Sequence, residues 1–232
     1  MTTVLMVVTG ADSLTLNEGS SHPTGFWAEE VAESHRILVD AGFEVVIATP
    51  GGVAPTADPI SLNQRGGVAN ADAERFRDYL QTLGEELLSP IAVSAAKAED
   101  FDAIYVPGGH GPMTDLAVDA DLGSLLVDAD DRGRVVAALC HGLAALLSTT
   151  SETGTFHFAG RTLTAFTNEE EAQGGVANTP YLVESRLREL GALIETADPW
   201  SSHVIVDRNL VTGQNPQSSV ATAQAVVAAL SN

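Results

Sequence analysis

Short apolar runs rich in β-branched residues recur along the chain at residues 4–8, 43–48, 103–106, 134–139 and 162–165, each bounded by turn residues. Runs of this length and composition predict strands of a buried sheet. Between them, residues 25–41, 73–88, 122–129 and 179–190 have helical length and period. Strands and helices therefore largely alternate, which predicts a mostly parallel sheet with helices on both faces. Downstream, residues 203–206 and 210–212 flank Asp207-Arg208-Asn209, a hairpin at a sheet edge, and the Ala- and Val-rich segment 219–230 reads as a closing helix. The expected fold is an α/β three-layer sandwich with a small β-hairpin appendage. Residues 50–67 hold Gly, Pro, Asn and Asp without periodicity and are expected to form a long loop, functional or mobile. No repeat or linker interrupts the pattern, so residues 1–232 are expected to form a single domain.

Composition narrows the function classes. The chain carries 31 acids against 11 bases, a formal charge of −20, and Lys97 is its only lysine. Such a surface repels phosphate backbones and anionic lipid, so no nucleic acid and no membrane partner is expected. The N-terminal apolar run follows no basic segment and is too short for a signal peptide or a membrane span, which predicts a cytoplasmic protein. A single cysteine, Cys140, precludes an internal disulfide and a cysteine metal cluster and suits a reducing compartment. His22, His35, His157 and His203 lack ligand-like spacing, so they are expected to be structural or exposed, and neither a metal nor a cofactor is expected.

Four constellations carry candidate chemistry. In Val135-Val136-Ala137-Ala138-Leu139-Cys140-His141-Gly142, an apolar strand turns at small residues into an apolar helix. An elbow of this kind presents Cys140 at the carboxyl end of the sheet and aims helix N–H groups at it, which predicts a lowered thiol pKa. The alternative is a small buried hydrophobe. Tyr105-Val106-Pro107-Gly108-Gly109-His110-Gly111 is a strand ending in a glycine turn, where backbone N–H groups of Gly108, Gly109 and His110 are candidates for substrate binding and, with the His141 N–H, an oxyanion hole. An ordinary glycine turn gives the same pattern. Glu30 follows Trp27 by three positions at the edge of an apolar helical stripe with Val31 and Leu38, a place where partial burial raises a carboxyl pKa toward proton transfer, while Glu29 is expected to point elsewhere. An acid near a helix start is equally what the macrodipole favours. Finally, Phe166-Thr167-Asn168-Glu169-Glu170-Glu171 places three acids after a strand, one of which can orient the His141 imidazole unless all three merely solvate a helix N-terminus.

Taken in order with Thr24-Gly25, Gly42-Phe43-Glu44-Val45 and Leu210-Val211-Thr212-Gly213-Gln214-Asn215-Pro216, these segments resemble the ThiJ/PfpI superfamily over nearly the whole chain. The resemblance implies a flavodoxin-like, class I glutamine amidotransferase-like fold. The chain looks most like the heat-shock chaperone group with glutathione-independent glyoxalase activity. What that implies is Cys140 as nucleophile, His141 as triad base, Glu171 as the orienting acid and Glu30 as the acid on the sulfur, with the choice among Glu169, Glu170 and Glu171 open. It also implies a small 2-oxoaldehyde substrate, turnover without glutathione or metal, and a homodimer. True glutamine amidotransferases differ in placing the catalytic histidine downstream, two positions before a glutamate. Here Phe158-Ala159 follows His157 and Val204-Ile205 follows His203. A stress chaperone or cysteine redox sensor is a second reading of the same resemblance, and a cysteine peptidase or amidase a third.

Overall fold

Alternate residues of the first strand belong to different cores. A computed structural model describes residues 1–231, and in its β1 (Thr3–Val7) Leu5 and Val7 join one apolar cluster while Val4 and Met6 join the other. The other strands are β2 (Ser13–Thr15), β3 (Ser21–Pro23), β4 (Glu44–Thr49), β5 (Ile91–Ala92), β6 (Ala103–Val106), β7 (Val135–Leu139), β8 (Thr162–Leu163), β9 (Leu193–Ile194), β10 (Val204–Asp207) and β11 (Leu210–Gly213). The helices are α1 (Ala28–Asp40), α2 (Asn70–Thr82), α3 (Gly84–Leu88), α4 (Ala120–Asp131), α5 (Asn168–Gly174), α6 (Val183–Glu189) and α7 (Ser219–Leu230).

Seven strands form the main sheet in the order β10-β11-β7-β6-β1-β4-β5, parallel throughout except for the β10–β11 pair. The pleat of β6 and β7 repeats the division of β1. Ile104, Val106, Val136 and Ala138 face Leu122 and Leu126 of α4, whereas Ala103, Tyr105, Val135 and Ala137 face Val31 and Leu38 of α1 and Val226 of α7. Helices thus cover both faces, the α/β sandwich that the alternating pattern predicts and the flavodoxin-like arrangement that the resemblance implies. The strand order reverses direction at β1 beside β6, and crevices at the carboxyl ends of strands near such a reversal are where open α/β sheets bind ligands. Among the described residues no helix is long and apolar enough to cross a membrane.

Several predicted elements differ in the structure. The first helix starts at Ala28 and not at residue 25, because Gly25 and Phe26 run extended against the segment around Thr56 and Ala57. A Cβ on Gly25 would overlap the Thr56 carbonyl. The helix predicted over 73–88 is broken at Leu83 into α2 and α3. The run 162–165 supplies only the two-residue β8, which pairs with β9 outside the main sheet. The backbone diverges after Leu163, where the Thr164 N–H donates to Thr212 Oγ1 of β11. Residues 50–67 are not featureless: Pro50–Gly52, Pro59–Leu62 and Gln64–Gly66 wind as single 3₁₀ turns, the latter two started by the Asp58 and Asn63 side chains. The apolar segment after the elbow, Cys140–Thr149, also winds as a 3₁₀ helix.

Candidate active site

Cys140 occupies the turn between β7 and its following helix with φ of 58°, a left-handed conformation that a non-glycine residue adopts only where its surroundings impose it. Close packing imposes it here. A Cβ on Gly108 would lie 2.8 to 2.9 Å from the backbone of Leu139, His141 and Gly142, so the end of β6 and the elbow after β7 touch through backbone alone. Gly109, at φ of 95°, lies as tightly against Gly25, Phe26 and Trp27. Two strand ends and the start of α1 therefore converge on one thiol, which is 3% exposed.

The His141 side chain bridges that thiol to α5. Its Nδ1 lies 3.4 Å from Cys140 Sγ and its Nε2 lies 2.6 Å from Glu171 Oε2. Of the three consecutive glutamates, Glu171 makes this contact. Glu169 bonds Gln173 on the exposed side of α5, and Glu170 closes a capping box with Thr167. The second oxygen of Glu171 meets His110, whose Nε2 lies 3.0 Å from Oε1. One carboxylate thus serves two imidazoles, whose rings stack with centroids 3.9 Å apart, and Phe166 lies against the far side of His141 at 4.3 Å. Burial opposes ionisation of Glu171, but the two imidazoles outweigh it and hold the carboxyl below the usual range. An ionised Glu171 accepts an N–H from each ring, and in a neutral His141 that contact puts the lone pair on Nδ1, facing sulfur. For His110, burial and then the neighbouring His141 press the pKa down against the pull of Glu171. His110, His141 and Glu171 are also a donor set within reach of one metal ion; here each Nε2 bonds Glu171, and His110 Nδ1 is buried with no partner among the described residues.

Glu30 lies beneath the sulfur, fully buried on α1, with Oε2 accepting the Gly108 N–H at 2.6 Å. Burial pushes its carboxyl up to about 8, against the lowering effect of the Gly108 N–H and of its hydrogen bond with the Cys140 thiol. The thiol responds in kind: burial, then the charge and hydrogen bond of Glu30, raise it well above its ordinary value, with only the His141 N–H in opposition. This corrects the expectation of a lowered thiol pKa. The elbow does aim an N–H at sulfur, but desolvation and the carboxylate beneath outweigh one hydrogen bond.

Two further expectations are corrected. The Gly108 N–H is committed to Glu30 and is no oxyanion donor, whereas the Gly109 N–H takes no acceptor among the described residues. The His110 imidazole belongs to the proton network through Glu171, a link its glycine turn does not signal. Glu29 does not point away either: it lines the same cleft as Cys140 and His141, where burial and then the charge of Asp72 raise it to about 7 against Arg75. That cleft has a volume of about 670 Å³. His157 instead bonds Asp130, and His35 bonds Tyr79.

Known proteins share this architecture. The bovine protein called glutamine amidotransferase-like class 1 domain-containing protein 1 is 30% identical over 81% of this chain and 80% of its own length. Glyoxalase 3 of Candida albicans is 28% identical over 99% of this chain and 98% of its own, and the crystal structure of glyoxalase III from that organism superposes with a TM-score of 0.82 over 98% and 97% of the two chains. The glutathione-independent glyoxalase HSP31 of Saccharomyces cerevisiae is 28% identical over 99% and 98%. A family description, ThiJ/PfpI family-like, matches residues 22–205 and so takes in Glu30, the Cys140 elbow and Glu171, and the chain belongs to that family.

Proposed function

We propose that the chain is a glyoxalase III-type enzyme converting methylglyoxal-type 2-oxoaldehydes to 2-hydroxy acids without glutathione. One observation carries this reading: a strained cysteine with two separate proton carriers, Glu30 on one side of the sulfur and the His141–Glu171 pair on the other. The relatives named glyoxalase support it.

The chemistry follows from that division of labour. Burial raises the Glu30 carboxyl to about 8 and the thiol higher still, so no free thiolate accumulates; ionised Glu30 takes the thiol proton as the sulfur bonds to the aldehyde carbon. The protonated carboxyl then gives that proton to the resulting oxyanion, forming a hemithioacetal, with the Gly109 N–H, which takes no acceptor among the described residues, as a donor beside it. His141 Nδ1, held as a lone pair by the Nε2–Glu171 contact, removes the proton on that carbon and returns it to the neighbouring carbon through an enediol. The first carbon is oxidised to a thioester as the second is reduced to an alcohol, so no external oxidant enters. Water then cleaves the thioester, releasing lactate from methylglyoxal and restoring the thiol.

A glutaminase reading of the same nucleophile needs a downstream histidine, and neither His157 nor His203 lines the cleft. The test is aldehyde loss and lactate formation with no added glutathione. Wild type is expected to form lactate, Cys140→Ala to lose at least about 10³-fold in kcat/KM, and Glu30→Gln about 10²-fold. Lactate formation insensitive to Cys140→Ala would end the proposal.

A further inference from the structure

A three-carbon aldehyde fills only a small part of a cleft of about 670 Å³, a size suited to ligands several times larger. Beyond the reacting end its wall is built from two kinds of group. Trp27 and Trp200 supply rings; Gln173, Gln217 and Arg65 supply hydrogen-bonding side chains, and the Arg65 guanidinium makes no ion pair among the described residues.

Trp200 is held in place by unusual means. Its φ is 62°, an outlier for a bulky aromatic residue, and its backbone N–H donates to Oε1 of fully buried Glu170 at 2.8 Å. The indole N–H donates to Gln173 Oε1 at 2.8 Å. One ring edge lies over Gly174, where a Cβ would come within 3.0 Å of it, and the ring meets Phe166 edge-on at 5.6 Å. Glu170 also binds Asn215 and Gln214, so the strained turn is tied into the carboxyl end of β11. The residue nevertheless remains 36% exposed and lines the cleft. A fixed aromatic face flanked by amides and a guanidinium matches the C–H faces and hydroxyls of a sugar chain. Two acids, Glu29 and Asp72, and two guanidiniums, Arg65 and Arg75, balance in the same wall, which suits an uncharged chain.

We infer that the substrates are hydroxylated, sugar-derived 2-oxoaldehydes of about six carbons, with the carbonyl pair at Cys140 and the polyol chain laid along Trp200. This rests on the glyoxalase reading and extends it. The chemistry is unchanged: the aldehyde carbon becomes the carboxylate, the ketone becomes an alcohol, and one water is consumed, giving a hexonic acid.

The experiment compares kcat/KM for glucosone and methylglyoxal in wild type, Trp200→Ala, Trp200→Phe and Gln217→Ala. Wild type is expected to favour glucosone by about tenfold or more. Trp200→Ala and Gln217→Ala are expected to lower the glucosone-to-methylglyoxal ratio, chiefly through KM for glucosone, and Trp200→Phe to restore most of it. A wild-type preference for methylglyoxal, or variants that lower both substrates equally, overturns the inference and leaves the glyoxalase reading standing. If wild type turns over neither aldehyde, the glyoxalase reading fails and the inference with it.

Discussion

Glu30 shows most directly how function and stability oppose each other in this chain. In the unfolded chain its carboxyl titrates near the ordinary glutamate value of 4.5, and in the fold burial pushes it up to about 8. Between those values the folded protein holds a proton that the unfolded chain has released, so stability falls as pH rises through this window and levels off above it. Each pH unit across that window is worth about 1.4 kcal/mol, so the effect is on the order of a few kcal/mol. Glu30→Gln is therefore expected to be more stable than wild type at pH 8 and close to it at pH 4, while losing activity; denaturant titrations at both values check this. A variant less stable than wild type at pH 8 would mean that the ionised carboxylate is a structural asset. Glu171 has the opposite sign. Its carboxyl is depressed in the fold, so its stabilisation is present above the ordinary glutamate range and is lost as pH falls below it. Cys140 was legible from its elbow, because a strand running into small residues can turn in few ways. The pKa direction of its thiol was not, since it depends on a carboxyl 110 positions earlier in the chain that burial has brought beneath it.

At the scale of elements, α5 decides which glutamate serves the imidazole. Thr167 Oγ1 accepts the Glu170 N–H at 3.0 Å and Glu170 Oε2 accepts the Thr167 N–H at 2.9 Å, so the helix start is fixed and Glu171, one residue on, is turned toward His141. Three adjacent acids give no signal of which faces inward until the helix axis is placed. Thr167→Ala is expected to cost about 1 kcal/mol of stability and to lower kcat through a misplaced Glu171, with Thr167→Ser restoring both, as read by thermal melts and steady-state rates. The main strands and α1 and α4 follow apolar periodicity closely, while α7 is legible from its Ala- and Val-rich run. Short β5 and β9, each two residues long, and the β2–β3 ribbon escape it because so few residues carry no period. The same limit misled the reading of 162–165, whose apolar run is spent on a ribbon beside the hairpin and not on the main sheet.

At the scale of the whole molecule, one buried cation ties distant parts together. The Arg161 side chain, 5% exposed, bonds Asp130 Oδ1 of α4 at 2.9 Å, Asp207 Oδ2 of β10 at 3.0 Å and Asn209 Oδ1 at 3.2 Å, and the Thr162 N–H also donates to Asp207. In a chain of net charge −20 such a node keeps two carboxylates together that would otherwise repel. Removing the guanidinium leaves Asp130 to His157 and Asn209 and Asp207 to the Thr162 N–H, with no buried charge between the two carboxylates, so Arg161→Met is expected to destabilise by about 3 kcal/mol in denaturant titrations, with activity per folded molecule retained. None of its side-chain hydrogen-bond partners lies close to it in sequence, which is why periodicity and motif spacing are silent about it.

The most direct test of the account follows methylglyoxal, isotopically labelled at the aldehyde carbon, by carbon NMR with purified protein and no glutathione. The account predicts that the label moves from aldehyde hydrate to the carboxylate of lactate with wild type and stays in the hydrate with Cys140→Ala. Label that never reaches a carboxylate with wild type, or reaches it equally fast without the thiol, would contradict it.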